Sequence, residues 1–378
     1  MIRVGIIGCG KIADAHAEQI RRIPGCALVG ACDREELMAR QMCERYRFEG
    51  CYTDVRALLE GAGPDVVHIA TPPQSHYELG ALCLNAGCSI YVEKPFTLTT
   101  PEAEALIRLA CDQDLKITVG HNAQFSHAAL RMRELIRSGF LGGDPVHMES
   151  YYCYNLGDPK FAKAFLGDRD HWVRKLPGGL LHNIIGHGII KIAGFFKSDA
   201  PTVIAHGFTS PMLRGIGETG IIDELRVIVT DGSATTAYFT FSSQMKPTLH
   251  RLCLYGPENA LVVDDDNQTV IKVRGTKYKS YLDHFVLPLV SAGQQVSNVA
   301  GNLKKFLKND FHMDAGRKHL IEAFYGSVSG RTAPPIPYRD ILLTSRIMDA
   351  VFRQLGEQQQ DEPAVHPAAV NTPPGGSG

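Results

Sequence analysis

Apolar runs alternate with helix-like segments through the first 120 residues. The runs have the length and composition of buried strands and lie at 2–7, 27–32, 65–70, 89–92 and 116–119. Helical periodicity with start and stop signals lies between them, at 11–23, 35–46, a short stretch ending at 59, 76–85 and a segment that begins at 100. This alternation predicts a parallel sheet with right-handed crossovers, an α/β Rossmann arrangement.

The pattern changes after Gly120. Alternating or apolar runs predict strands at 145–152, 201–208, 222–230, 235–242, 249–255 and 259–273. Helical periodicity appears at 127–138, 180–196 and 338–355. We therefore expect a Rossmann domain over 1–120, and an α+β domain with an open, mainly antiparallel sheet over 121–355. A polar, Pro/Gly-rich disordered tail is expected over 356–378.

Residues 278–312 form a separate helical segment that is amphipathic only in patches. It carries Lys304, Lys305 and Lys308 near its end. A helix that binds a partner or a membrane surface is one interpretation. We favour the other, a covering helix or subunit contact whose lysine face is solvated.

Bulk composition narrows the class of protein. The length of 378 residues suggests two domains, and 39 basic against 40 acidic residues indicate no nucleic-acid partner. We expect neither an integral membrane segment nor a signal peptide, because no apolar run is long enough and the chain opens directly in a strand. The ten cysteines form no C-x-x-C pair, so we interpret them as reduced, mostly buried thiols of a cytoplasmic protein.

The opening strand leads into a glycine turn that carries a dinucleotide-binding pattern. Gly8 permits a tight turn, Gly10 lets the backbone approach a pyrophosphate, and Ala13 keeps the following helix close to the strand. The positive end of that helix would face the phosphates. Asp33 ends the second strand, where an acid binds ribose hydroxyls and favours NAD, while Arg34 leaves NADP open.

Two more groups follow strands of the same sheet and should meet the cofactor at its carboxyl edge. One is Thr71-Pro72-Pro73 with His76 behind it, and the other is Glu93-Lys94-Pro95. A lysine at the end of an apolar strand, fixed by proline, can lose its proton near neutral pH or polarise a substrate oxygen. Lys94 is therefore a candidate catalytic residue.

A third group lies in the predicted helix at 180–196. Asn183 and His187 are four residues apart and share one face of an apolar helix. Two polar residues there cost desolvation unless they serve a site or satisfy each other. His182 and His187 lack the spacing that metal sites favour on a helix, so we expect no metal.

Together these motifs resemble the Gfo/Idh/MocA family of oxidoreductases from Ile2 to about Leu355. The resemblance is carried by Gly8–Ala13, Ala70–Pro73 with His76, Glu93-Lys94-Pro95, Gly178-Gly179 with His187, and Ile341–Val351. It implies NAD(P)-dependent oxidation or reduction of sugars, sugar nucleotides or cyclic polyols by a homodimer or homotetramer. Lys94 and His187 would manage the proton and Asn183 would orient the substrate. The expected cofactor contacts are Gly8, Gly10, Lys11, Ile12, Ala13, Asp33, Arg34, Thr71, Pro72, His76, Glu93, Lys94 and Asn122.

The chain departs from the family pattern at two places. Asn183 stands where an aspartate is usual, and an amide cannot take a proton. The segment His121–Phe125 lacks a frequent arginine, so we expect altered substrate contacts. Two alternatives to a dehydrogenase therefore stay open: an NAD-retaining glycosidase or lyase that oxidises its sugar transiently, and a non-catalytic NAD-sensing regulator.

Overall fold

Two sheets organise the protein in a computed structural model that describes residues 1–156, 166–232, 235–275, 278–311 and 315–361. Each sheet has its own cluster of buried hydrophobic side chains. The two sheets confirm the predicted fold class, an α/β Rossmann sheet joined to a mainly antiparallel one.

The first sheet has six parallel strands in the spatial order β3-β2-β1-β4-β5-β6. Its strands are β1 (Ile2–Ile7), β2 (Cys26–Cys32), β3 (Gly50–Tyr52), β4 (Val66–Ile69), β5 (Ser89–Val92) and β6 (Ile117–Val119). The helices between them are α1 (Lys11–Ile20), α2 (Glu36–Tyr46), α3 (Val55–Ala62), α4 (His76–Asn85) and α5 (Thr100–Asp112). The strand order reverses between β1 and β4, and ligands of such sheets bind outside this switch point.

The second sheet has seven strands in the order β13-β12-β11-β7-β10-β9-β8, antiparallel except where β7 meets β10. They are β7 (His147–Asn155), β8 (Thr202–Phe208), β9 (Glu224–Thr230), β10 (Thr236–Ser242), β11 (Gln244–Tyr255), β12 (Asn259–Asp264) and β13 (Thr269–Arg274). The prediction of a single strand over 259–273 is wrong, because this segment forms the two strands β12 and β13. A turn divides it, in which the backbone N–H of Asn267 donates to Asp264 Oδ1 at 2.9 Å.

Helices flank this sheet. They are α6 (His127–Arg137), α7 (Gly179–Ile184), α8 (Gly186–Ala193), α9 (Pro211–Gly215) and α10 (Asp283–Leu307). The one helix expected over 180–196 is therefore two helices that break at Ile185, just before Gly186. Single turns of 3-10 helix lie at Pro73–Ser75, Asn122–Phe125, Trp172–Lys175 and Ser280–Leu282.

The chain returns to the first sheet near its end through α11 (Ala315–Val328) and α12 (Tyr338–Asp361). Leu320, Phe324, Tyr325 and Ile341 belong to the same buried cluster as the strands of the first sheet. Residues distant in sequence thus complete the Rossmann core. Helix α12 continues six residues past Leu355, so the start of the expected tail is helical, and 362–378 lie outside the described residues.

One cysteine pair corrects the expectation of free thiols throughout. Cys43 on α2 and Cys51 on β3 form a disulfide, with Cα atoms 6.2 Å apart, because the turn between these elements folds them together. The other eight cysteines are free, and Cys111 is the exposed one. No described helix combines the length and the apolarity that a membrane span requires.

Candidate active site

The glycine turn after β1 forms the floor of the switch point. Gly8 has φ +87°, and a Cβ there would lie 2.9 Å from the carbonyl of Ala70 at the end of β4, so glycine is required. A Cβ on Gly10 would meet nothing within 4 Å, so the space above this residue is open. The first turn of α1 begins there: the N–H of Ala13 donates to the Gly10 carbonyl at 2.9 Å, and the N–H groups of Lys11 and Ile12 precede any intrahelical acceptor. Ala13 is fully buried and lets α1 lie close against the sheet.

Asp33 is fixed beside this turn by two backbone groups. Its Oδ2 accepts from the N–H of Cys9 at 2.7 Å, and its Oδ1 accepts from the N–H of Glu35 at 3.0 Å. The carboxylate is therefore held at the edge of the glycine turn. Two exposed basic residues are adjacent in sequence to these groups: Arg34 follows Asp33, and Lys11 follows Gly10. An open cradle, a helix N-terminus and a fixed acid fit the phosphates and ribose of a dinucleotide.

The turn after β4 is held in place by a buried histidine. Thr71 Oγ1 lies 2.8 Å from Ser75 Oγ, within the turn. The ring nitrogens of His76 lie 2.9 Å from the carbonyl oxygens of Thr71 and Pro95, so this side chain ties the β4 and β5 exits together. Burial lowers the pKa of His76 below its usual value. The structure thus gives His76 a supporting place behind Thr71 and Pro72.

Glu93 points into the protein, where His16, Arg317 and the backbone N–H of Lys94 surround its carboxylate. Its Oε1 lies 2.8 Å from His16 Nε2 and accepts from Arg317 Nη1 at 2.9 Å, while its Oε2 accepts from the backbone N–H of Lys94. Burial alone would raise the pKa of Glu93, but His16, Arg317 and Lys94 hold it well below the usual range. A Cβ at Gly120 would lie 2.9 Å from this carboxylate.

The hydrogen-bond network continues away from the cleft. His16 Nδ1 lies 2.8 Å from His68 Nδ1, and His68 Nε2 lies 2.9 Å from the hydroxyl of Tyr325. Tyr91 stacks on His68 with ring centroids 4.6 Å apart. The network joins α1, β4, β5 and α11, and it anchors the exit of β5 from the inside.

Lys94 faces the opposite way and meets α7. Its Nζ donates to Asn183 Oδ1 at 3.0 Å and to the Asn183 backbone carbonyl at 3.1 Å. That carbonyl lies in the last turn of α7, where helical carbonyls lack intrahelical partners. Burial lowers the pKa of Lys94, and Arg317 lowers it further while Glu93 opposes the shift. The predicted convergence of Lys94 and Asn183 is therefore present in the geometry.

His187 lies on the next helix, α8, and borders the same space. Its ring stacks on Tyr152 of β7 with centroids 5.0 Å apart, and it meets His121 edge-on at 6.5 Å. Burial, together with the charges of Lys94 and His121, holds the pKa of His187 well below its usual value. The imidazole is therefore neutral around pH 7 and can accept a hydrogen bond from a hydroxyl.

His121 and Tyr152 are site residues that sequence reasoning did not single out. His121 follows β6 and is buried, and burial lowers its pKa to about 4. Its Nδ1 has no hydrogen-bond partner among the described residues. Asn122, the next residue, accepts a hydrogen bond from the Tyr91 hydroxyl at 2.8 Å through Oδ1. A polar residue after the last strand was the one available signal for His121.

A small cavity lies behind the lysine. Its volume is about 20 Å³, and it is lined in part by Lys94, His121, His182 and Asn183. This is room for one water molecule. His182 stacks on Phe352 with centroids 4.9 Å apart, and burial lowers its pKa. The ring packs into the protein against Phe352.

A possible metal-binding group stands apart from these residues. Among the described residues, His127, Asp310 and His319 bring three potential ligand atoms within 4.8 Å of one another. They lie at the starts of α6 and α11 and just after α10. His127 Nε2 already lies 2.7 Å from the Asp310 carbonyl oxygen, and His319 Nδ1 lies 3.0 Å from that of Phe125.

The turn, the fixed acid and the strand order define the N-terminal domain as a dinucleotide-binding Rossmann domain. The sequence model of the Gfo/Idh/MocA oxidoreductase family, described as an NAD-binding Rossmann fold, matches residues 2–121. The N-terminal part of the chain thus matches the family that its motifs predict.

Curated relatives resemble the chain over part of their length. UDP-N-acetylglucosamine 3-dehydrogenase of Acidithiobacillus ferrooxidans is 33% identical over 149 residues, 39% of this chain and 44% of the relative. Oxidoreductase P35 of Formosa agariphila is 28% identical over 200 residues, 52% of this chain and 60% of the relative. The matched region thus spans less than two thirds of either protein.

A solved structure resembles nearly the whole chain. The WlbA dehydrogenase from Bordetella pertussis, in complex with NADH and UDP-GlcNAcA, superposes with a TM-score of 0.71 and 13% identity. The match covers 94% of this chain and 97% of that one. The two-sheet fold is therefore shared across both domains.

Proposed function

We propose that this protein is an NAD(P)-dependent dehydrogenase that transfers a hydride between nicotinamide and a secondary hydroxyl of a sugar, sugar nucleotide or cyclic polyol. The observation that carries the proposal is the contact of Lys94 Nζ with Asn183 at 3.0 Å, at the carboxyl edge of a dinucleotide-binding sheet. Oxidation of a carbinol sends a proton to a base as the hydride leaves, and this corner supplies groups for that proton.

The glycine turn and Asp33 would hold the cofactor. The open space over Gly10 and the N-terminus of α1 receive the pyrophosphate, and the Asp33 carboxylate accepts from the ribose hydroxyls. We propose NAD over NADP, because a fixed carboxylate repels a 2′-phosphate. When bound, nicotinamide accepts or returns the hydride.

Lys94 and His187 divide the handling of the hydroxyl proton. A lysine ammonium has three N–H donors, and two of them point to Asn183, so the third can hold the substrate oxygen. Because its partner is a neutral amide and burial lowers its pKa, Lys94 can also act as the base. The neutral imidazole of His187 accepts a hydrogen bond from the substrate hydroxyl, and Asn183 orients that hydroxyl.

The relatives support a sugar-type substrate, since both the Acidithiobacillus ferrooxidans dehydrogenase and the WlbA complex involve a uridine-diphosphate sugar by name. We propose a homo-oligomeric enzyme, as the family resemblance implies. Eight free cysteines agree with a reducing compartment, so we place it in the cytoplasm.

The test is NADH formation at 340 nm across a panel of polyols, glycosides and sugar nucleotides. We expect Lys94→Ala and His187→Ala each to lower kcat by about 10²–10⁴-fold while NAD binding, measured by calorimetry, is unchanged. The exposed residues Lys197 and His206 supply the control variants K197A and H206A.

Full activity in both site variants would reject these roles. Release of a cleaved product without net NADH would instead assign the same corner to a redox-neutral glycosidase or lyase. Tight NAD binding without turnover of any substrate would favour a regulator.

A further inference from the structure

Helix α10 is attached to the second sheet through side-chain amides. Gln294 brackets Lys272 of the edge strand β13, accepting from its N–H at 2.8 Å and donating to its carbonyl at 3.0 Å. Asn298, one turn on, makes the same pair of contacts with Val270, at 3.5 and 3.1 Å. The amide face of α10 thus closes the edge of the sheet and is already occupied.

The opposite face of α10 is apolar and uncovered. None of its 25 residues is buried. At 100° per residue, seven of its positions fall on one stripe about 80° wide, on the far side from the amides. The stripe consists of Phe285, Leu289, Ala292, Val296, Ala300, Leu303 and Leu307. Its five large side chains are exposed by 56–77%.

The spacing of the apolar residues along the stripe is the same in both directions. Its spacings are 4, 3, 4, 4, 3 and 4 residues, and they are symmetric about Val296. Ala292 mirrors Ala300, and Leu289 mirrors Leu303. A surface that repeats itself under reversal is what a two-fold, isologous contact requires, in which residue i meets j and j meets i.

We infer that α10 pairs antiparallel with α10 of a second copy of this chain, on a two-fold axis at Val296. The mirrored alanines allow the two backbones to approach closely at either side of the axis, and the leucines pack against each other beyond them. Charge favours the same direction: Lys304 and Lys308 lie at or just beyond the end of the helix, and antiparallel pairing keeps the two basic ends apart, whereas parallel pairing sets them together.

The size of the stripe also suits a protein partner. Together with Val299 and Phe306 on one flank, each large side chain presents on the order of 100 Å², so the face offers roughly 700 Å², close to the ~800 Å² that each partner gives a standard interface. A helix that lies on a membrane carries its cations along the polar face. Here amides bonded to β13 occupy much of that face, and the lysines cluster at one end.

Cysteine cross-linking of the full-length protein tests the axis directly. In a Cys111→Ser background, which removes the exposed thiol, we expect Val296→Cys to form a disulfide-linked dimer under mild oxidation. Ser297→Cys, an adjacent and equally exposed position, is the matched control and should remain uncross-linked. Leu289→Cys alone should not cross-link, because its twin lies about 21 Å away along the paired helices. Combined with Leu303→Cys, it should cross-link efficiently.

Light scattering supplies the second measurement. Val296→Glu should halve the mass of an assembly that this contact holds together, while Ser297→Glu leaves the mass unchanged. Cross-linking of Leu289→Cys alone would show a parallel pair and overturn the inference. So would a mass unaffected by Val296→Glu, or flotation of the wild type with phosphatidylglycerol vesicles while Val296→Cys stays uncross-linked.

Discussion

Two adjacent residues at the exit of β5 lie in opposite surroundings. Glu93 is buried, and its two oxygens are bonded to His16 on α1, to Arg317 on α11 and to the backbone N–H of Lys94. Lys94 is half-buried and contacts one amide residue across the cleft. The comparison separates a polar group that stabilises the fold from one that remains available for chemistry. The hydrogen bonds of Glu93 are all made within the protein and fix the exit of β5. Lys94 keeps one N–H donor that can bind a substrate.

The largest effect on the free energy of unfolding should come from disrupting the hydrogen-bond network of Glu93. Glu93→Gln removes the carboxylate that pairs with buried Arg317, and losing one member of a buried ion pair costs about 3–5 kcal/mol. Urea unfolding measures this loss. Glu18→Gln is the control, because it breaks the exposed Glu18–Arg22 pair, which should cost under about 1 kcal/mol. A cost for Glu93→Gln equal to the control would show that the network contributes little.

The same network predicts how stability depends on pH. The pKa of Glu93 is lowered in the folded state from its ordinary value of 4.5. Its contribution is therefore complete above that value and is lost as pH falls through the folded-state pKa. The Glu93→Gln variant should lose less stability than the wild type between neutral and acidic pH. Parallel curves for the two proteins would contradict this.

At position 183, which faces Lys94, a carboxylate in place of the amide should raise the pKa of Lys94. Asn183→Asp places a negative charge about 3.0 Å from Lys94 Nζ, where Asn183 Oδ1 now lies. An opposite charge at this distance raises a lysine pKa by about 1–3 units. If Lys94 is the base in alcohol oxidation, the rising limb of kcat/KM moves to higher pH by that amount. His187 cannot produce this limb, because burial holds its pKa well below the usual value.

An unmoved limb in Asn183→Asp would mean that another group takes the proton. The isosteric pair makes the comparison clean, since asparagine and aspartate differ in charge and not in size. Asn85→Asp, at the exposed end of α4, adds the same charge away from the site and serves as the control.

Sequence reasoning anticipated the surroundings of Lys94 better than those of Glu93. The rules of parallel sheets placed Lys94 at the carboxyl edge, and the family resemblance implied that Asn183 lies beside the same substrate. Glu93 was expected to contact the cofactor, but it pairs with Arg317, 224 residues away. No local signal announces such a partner. His76 was assigned to the cofactor for its position, and its contacts with two carbonyls depend on the neighbouring strand exit.

The helical regions show the same limit. The strand–helix alternation over the first 120 residues was predictable because parallel strands buried on both faces are continuous apolar runs. The break between α7 and α8 was not, since the apolar periodicity runs through Ile185 without interruption. The helix at 278–312 was predicted, and its lysine end was recognised, but only the contacts with β13 reveal which face is uncovered.

The smallest effect that we predict concerns the choice of cofactor. Asp33 both binds the glycine turn and carries the charge that should exclude a 2′-phosphate, and the two roles can be separated. Asp33→Asn retains an oxygen that can accept from the N–H of Cys9, now 2.7 Å from Oδ2, while it removes the charge. We expect the ratio of kcat/KM for NAD over NADP to fall by roughly tenfold, as removing about 1.4 kcal/mol of discrimination would do. Asp33→Ala should lower binding of both cofactors, because the turn then loses its anchor. An unchanged ratio in Asp33→Asn, with binding intact, would show that the carboxylate positions the turn and does not select the cofactor.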